Sequence, residues 1–166
     1  MALHKDVEAV LNRQLVKEFD AEMVYLGMAI YFDKELYKGF AAWFRKQSSE
    51  ERTHAMRLVD YILDRGGNPI IPAVAAPKID YGSAVEAFNA ALAHEQANTA
   101  GIYECLATAQ KVNDPATVEM LQWFVKEQVE EEKWAEEYAR MVEKIHNSIG
   151  GMYQFDHRVG KVARGE

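Results

Sequence analysis

The stretch from Gly66 to Gly82 constrains the fold of this chain more than any other segment. Its 17 residues hold three prolines and three glycines and carry no helical period. On both sides of it, apolar residues recur every three or four positions over long segments, the signature of amphipathic helices. A tight connection between neighbouring helices takes about 2–8 residues. Seventeen extended residues instead reach more than about 50 Å, enough to span a helix of some forty ångströms, roughly the length of those on either side. The stretch therefore reads as a crossover that runs the length of a bundle and sets the second and third helices parallel. Its Ile70, Ile71, Val74 and Ile79 are expected to pack on something rather than stand in solvent.

The helices follow in order. The first should run from about Lys5 to Asp33, with Val7, Leu11, Leu15, Glu18, Tyr25, Ala29 and Phe32 on its buried stripe. A turn around Glu35 to Gly39 leads to a second helix ending at Arg65, where Gly66-Gly67 and Pro69 stop it. Ser83-Ala84-Val85-Glu86 has the form of a capping box and opens the third helix, which continues to about Val112. Asp114 is placed to cap a fourth helix with Pro115 in its first position. That helix should reach about Ser148 and end at Gly150-Gly151, followed by a short fifth helix over about 152–163. The expected class is all-α: a four-helix bundle (about 5–148) with a long crossover between helices two and three, in a single domain covering 1–166.

Composition narrows the function classes. Apolar residues make up 49% and charged residues 27%, values of a soluble globular chain. The net charge of -7 argues against nucleic-acid binding and suits a surface that attracts cations. A lone Cys105 forms no internal disulfide, which points to a reducing compartment. The N-terminal residues open directly into amphipathic helix without an apolar signal core, and no segment is long and apolar enough for a membrane. The expected location is cytoplasmic.

Against this background, polar residues inside the apolar stripes need an explanation. Glu51 and His54 are three apart, so they share one helix face, and that face also carries Trp43, Phe44, Leu58 and Ile62. The two halves of the chain correspond at an offset of 77 residues: Glu18 with Glu95, Glu50 with Glu127, Glu51 with Gln128, His54 with Glu131, Tyr61 with Tyr138. All these polar positions fall near mid-helix, so packing the two hairpins together gathers Glu18, Glu51, His54, Glu95, Gln128 and Glu131 at the middle of the bundle. A single glutamate on such a stripe is usually a boundary residue reaching water, and a single histidine a hydrogen-bonded core residue. Several carboxylates together in a low-dielectric core are different, because they repel and lose hydration with no Lys or Arg on the stripes to neutralise them. Bound cations relieve the strain and also account for the imidazole. Carboxylate oxygens with one imidazole and no thiolate suit iron, manganese or zinc. The donors suffice for two ions, one held by Glu18 and His54 and the other by Glu95, with Glu51 between them. Inward-facing glutamates combined with Glu-x-x-His motifs form the dimetal sites of ferritin-like bundles.

At this point the chain resembles the non-haem ferritins of prokaryotic type. The matching segments are Leu11-Asn12-x-Gln14 with Glu18 and Tyr25, Gly39-Phe40-Ala41, Glu50-Glu51-Arg52-Thr53-His54-Ala55 and Gly66-Gly67. They continue with Glu95-Gln96, Leu121-Gln122-Trp123-Phe124 and Glu127-Gln128-Val129-Glu130-Glu131-Glu132. The resemblance implies an iron-storage protein: Fe(II) is oxidised by oxygen or peroxide at a dinuclear ferroxidase centre and kept as ferric mineral inside a hollow cage. It implies Glu18, Glu51 and His54 as ligands of a first iron, with Glu51 as bridge and Glu95 serving a second. Gln128 matches an amide beside that second iron, and Tyr25 a tyrosine able to give an electron during oxygen reduction. Glu50, Glu127, Glu130 and Glu131 match the ligands of a third iron position, and the assembly implied is a homo-oligomer of twenty-four subunits.

The chain also departs from related patterns. Val118 and Leu121 stand where animal heavy-chain ferritins carry acidic residues of a threefold pore, and Met56 replaces an acidic residue of their cavity lining. Bacterioferritin is the alternative, as is a rubrerythrin-like di-iron peroxidase without storage. Both normally carry a second Glu-x-x-His, where this chain has Gln128-Val129-Glu130-Glu131, and bacterioferritin a haem-ligating methionine where Arg52 stands. No haem is expected. Because Gln128-x-x-Glu131 replaces the second motif, the two metal positions should be unequal, with the imidazole-bearing one the tighter.

Overall fold

In the computed structural model, residues 2–166 are described; Met1, the first residue of the expected 1–166 unit, lies outside them. The described residues form five helices: α1 (Lys5–Lys34), α2 (Lys38–Asp64), α3 (Ala84–Lys111), α4 (Pro115–Ile145) and α5 (Ile149–Arg164). Among the described residues there is no strand, and no helix is long and apolar enough to cross a membrane. Capping follows the local chemistry. Ser83 accepts the N–H of Glu86 to start α3, and Asp114 accepts that of Thr117 to start α4, with Pro115 in the first position.

Helix directions follow from which residues meet. Ser48 on α2 bonds the carbonyl of Glu22 while Leu3 bonds that of Arg65, so α1 and α2 are antiparallel. Cys105 meets Val10 and Glu95 meets Tyr25, so α3 is also antiparallel to α1 and hence parallel to α2. The crossover makes this possible by running along α1. Asn12 accepts the N–H of Ile70 at 2.7 Å and donates to the carbonyl of Asn68 at 3.1 Å. Further along, a Cβ on Gly27 would lie 2.4 Å from the carbonyl oxygen of Lys78, so backbone lies directly on helix there. The chain's own bundle does not cover the apolar crossover side chains: Ile70 and Ile71 are each 63% exposed and Ile79 is 45% exposed. The backbone is tied down by polar bonds, and these side chains point away from the chain's own core.

The internal repeat is visible at the level of single hydrogen bonds. In the first hairpin turn, Leu36 is left-handed (φ 65°) and the N–H groups of Leu36 and Tyr37 bond the carbonyls of Asp33 and Phe32. In the second, Asn113 is left-handed (φ 56°) and the N–H groups of Asn113 and Asp114 bond those of Gln110 and Ala109. Every one of these positions is displaced by the same 77 residues.

The C-terminal part differs from the expectation. The fourth helix ends at Ile145 rather than near Ser148, and Gly150-Gly151 does not stop it. Those glycines form the first turn of α5, capped by the Ser148 hydroxyl, which accepts the N–H of Gly151 at 3.1 Å. The fifth helix is correspondingly longer than 152–163 and packs chiefly on α2. Gly39, expected in a turn, lies inside α2 at this crossing, where a Cβ would fall 1.8 Å from the carbonyl oxygen of Asp156. Facing it, a Cβ on Gly160 would lie 2.8 Å from the Gly39 Cα.

Two apolar clusters fill the bundle. One surrounds Phe32, Phe40, Phe44, Phe88 and Phe155 at the α5 end; the other surrounds Leu11, Leu15, Leu58, Ile102 and Phe124 at the opposite end. Between them the interior is polar.

Candidate metal centre

That polar layer consists of Glu18 on α1, Glu51 and His54 on α2, Glu95 on α3, and Gln128 and Glu131 on α4, all buried. Each sits on the inward stripe of its helix because apolar residues one turn before and after it do. The α2 and α4 backbones stand further apart than the other neighbouring pairs, and side chains bridge them. Gln47 donates to Glu131, Trp43 packs on Trp134 with ring centroids 5.4 Å apart, and His54 packs on Trp123 at 5.4 Å.

Glu18, Glu51 and His54 present ligand atoms that all lie within 4.8 Å of one another. His54 Nδ1 is 3.2 Å from Glu51 Oε2 and 3.8 Å from Glu18 Oε2. Glu18 is oriented by amides: Gln14 Nε2 donates to its Oε1 at 2.7 Å and Asn98 Nδ2 to its Oε2 at 3.4 Å. Glu51 has no such support. Its Oε1 is buried without any hydrogen-bond partner, and such an orphan acceptor in a core is costly unless something else satisfies it. Burial, together with the charges of Glu18 and Glu95, raises the Glu51 carboxyl well above its ordinary value. A cation between these groups would satisfy the orphan oxygen and remove the repulsion, so the donor set fits a hard or borderline divalent ion.

Glu95 is held differently. Tyr25 donates its phenolic O–H to Glu95 Oε1, and Gln128 Nε2 donates to Oε2 at 3.2 Å. Gln128 is itself fixed by a bond to Thr99 Oγ1 at 3.1 Å. Burial lifts Glu95 to about 7, against the opposing effect of the Tyr25 and Gln128 hydrogen bonds. Burial and then the negative charge of Glu95 raise Tyr25 well above its ordinary value, so the phenol keeps its proton.

The remaining acidic residues lie on the α4 side of His54. His54, Glu127 and Glu131 form a second group whose ligand atoms fall within 4.8 Å of one another, with His54 Nε2 at 4.0 Å from Glu127 Oε1. Glu131 accepts from Gln47 Nε2 at 3.1 Å and from the Trp134 indole N–H. Burial and the charge of Glu95 raise it to about 8, the Trp134 bond opposing. Glu50 and Glu130 belong to neither group; they line, with Glu127 and Glu131, a groove of about 460 Å³ between α2, α4 and α5.

Several supporting residues do not stand out in the sequence as parts of the centre. Gln14 precedes Glu18 by one helical turn, and Asn98 and Thr99 follow Glu95 by three and four residues, so each shares a face with a carboxylate of the centre. Gln47 and Trp134 stand in the same relation to Glu51 and Glu131. That spacing is the available signal, but it gives no partner across helices: Asn98 serves Glu18 on α1, and Gln47 serves Glu131 on α4. Cys105 is buried, its thiol bonded to the Val10 carbonyl.

The family model described as the ferritin-like domain matches residues 8–145. A bacterial non-heme ferritin of Staphylococcus aureus is 39% identical over 158 residues, 95% of each chain. One of Staphylococcus epidermidis is 38% identical over 154 residues, 93% of each. Among solved structures, an open-pore ferritin from the hyperthermophilic archaeon Archaeoglobus fulgidus superposes with a TM-score of 0.93 at 34% identity, covering 96% of this chain and 98% of its own. With its two helical hairpins, its long crossover and its midplane of buried carboxylates, the chain belongs to the ferritin family.

Proposed function

We propose that this protein is an iron-storage ferritin that oxidises Fe(II) at the Glu18, Glu51, His54 and Glu95 centre and keeps the product as ferric mineral in a homo-oligomeric cage of twenty-four subunits. The observation that carries the reading is the unpartnered Glu51 oxygen, buried beside Glu18 and His54 where no lysine or arginine offsets the carboxylates. One Fe(II) would be taken by Glu18 and His54 and a second by Glu95, with Glu51 reaching both. Each iron gives up one electron to the oxidant, oxygen or hydrogen peroxide. Ion uptake displaces the protons that burial keeps on Glu51 and Glu95.

The other residues have separate tasks. Gln128 holds Glu95 and offers an amide beside the second ion. Tyr25 has its phenolic proton already directed at Glu95, so on giving up an electron it passes the proton to that carboxylate without leaving a charge in the core. Glu127 and Glu131, with His54, form an onward position, and Glu50 and Glu130 on the adjoining groove extend it. The protein is proposed to work in the cytoplasm.

The test mixes metal-free protein with Fe(II) and then with oxygen, following Fe(III) absorbance and the mass of the assembly by light scattering. Wild type should bind about two or three Fe(II) per subunit and oxidise them in a fast phase. Glu18→Ala and His54→Ala should assemble but lose that phase. Wild-type oxidation rates in both variants would overturn the assignment.

A further inference from the structure

A second groove approaches the centre from the other side of α4. It lies between α3 and α4, has a volume of about 330 Å³, and is lined by Tyr103, Gln128, Val129, Glu132, Lys133 and Glu136. Its floor is the informative part. Gln128 is otherwise buried (2% exposed), and its amide nitrogen is 3.2 Å from Glu95 Oε2. One uncharged side chain therefore stands between this groove and the carboxylate assigned to the second iron. The rim carries two carboxylates, Glu132 and Glu136. Lys133 is the single cation among the lining residues.

The groove between α2, α4 and α5 offers a contrast. There the approach to His54 is occupied by Glu131, fixed by Gln47 and Trp134, and by Glu50, Glu127 and Glu130, carboxylates that would retain an ion rather than pass it, with Lys46, Arg158 and the shared Lys133 on the same walls. Gln128 and Glu131 share the inward face of α4, yet the amide borders the α3–α4 groove and the carboxylate the α2–α4–α5 groove.

We propose that Fe(II) enters the centre through the α3–α4 groove, drawn by Glu132 and Glu136 and admitted past Gln128 to Glu95, so that uptake and onward movement use opposite faces of α4. The proposal rests on the ferroxidase reading of the centre. A hydrated divalent cation is favoured at a mouth of net negative charge, and a neutral amide at the floor lets it move on because it binds a cation less strongly than a carboxylate does. On this route the Gln128 side chain turns away from Thr99 and Glu95, giving up the bonds that now hold it.

The experiment uses the assembled, metal-free protein and Co(II), which reports binding by its visible absorption and is not oxidised under anaerobic conditions. Val129→Trp narrows the groove without changing charge, Glu132→Lys reverses the charge at its rim, and Glu137→Lys places the same charge change on the α2–α4–α5 groove. The stopped-flow binding rate should fall about tenfold in Glu132→Lys and clearly in Val129→Trp, with equilibrium stoichiometry unchanged, while Glu137→Lys binds at the wild-type rate. Wild-type rates in both groove variants, or an equal slowing by Glu137→Lys, would overturn the entry route. Failure of the wild type to bind Co(II) at equilibrium would instead overturn the centre itself, so the two readings fail in different ways.

Discussion

The carboxylate of Asp156, in the middle of α5, accepts the backbone N–H of Phe40, in the first turn of α2, at 2.7 Å. Tyr37, the residue in the N-cap position of α2, makes no side-chain cap bond. A residue 116 positions away in sequence therefore takes the role that a local Ser or Asp takes for α3 and α4. The same bond docks α5, whose backbone touches α2 at Gly39 and Gly160. Asp156→Ala should lower stability by about 1–2 kcal/mol, the usual cost of a lost helix cap, read as a lower denaturation midpoint. Gly39→Ala should do more, because its Cβ would meet fixed backbone rather than a flexible side chain, and should expose the 146–148 linker to limited proteolysis.

Leu36 and Asn113 occupy equivalent left-handed positions in the two hairpin turns. Asparagine tolerates that conformation; leucine is strained there by about 1–2 kcal/mol. Leu36 is 64% exposed, so little burial is lost on replacing it. Leu36→Asn should therefore raise the melting temperature, and Asn113→Leu should lower it, as measured by calorimetry. Opposite signs at the two equivalent sites are the expected outcome.

The metal-free protein should lose stability as the pH rises. Burial and neighbouring charge raise Glu95 to about 7 and Glu131 to about 8, from an ordinary value of 4.5. Between those limits the folded state holds protons that the unfolded chain has released, so unfolding becomes easier with increasing pH. The stabilising contribution is complete below about pH 4.5 and is lost as the pH climbs through 7 to 8. Thermal unfolding of metal-free protein from pH 5 to 8 should show the fall, Glu131→Gln should flatten it, and a bound divalent metal should abolish it. Calorimetric titration with metal in buffers of different ionisation enthalpy should register proton release near neutral pH.

Gln14 donates to Glu18 at 2.7 Å and thereby orients a proposed ligand without touching the metal. Gln14→Leu keeps the side-chain volume and removes the donor. Loss of such a supporting bond typically costs about 10–100-fold in metal affinity, so equilibrium binding should weaken at the first metal position while the second, at Glu95, is largely unaffected. Site-by-site titration with a spectroscopically visible metal distinguishes this from uniform weakening.

Much of this was legible in the residues themselves. The helical period, the Ser83 and Asp114 caps and the length of the 66–82 crossover depend on neighbours within one or two turns or on chain length, and those local rules led to the four-helix bundle and its parallel second and third helices. The polar positions repeated at mid-helix likewise pointed to one buried polar layer, which the packed helices form. Contacts between distant residues were not legible. The sequence marks Gly150-Gly151 as a helix stop, but Ser148 caps a new helix there, and Asp156 then reaches the uncapped start of α2. Nor could spacing along one helix show that Glu95 is held by Tyr25 and Gln128 while Glu51 keeps a bare oxygen. Period and capping are set by the chain's own neighbours, whereas hydrogen-bond partners across helices are decided only when packing fixes which side chains face each other and how far apart the α2 and α4 backbones stand.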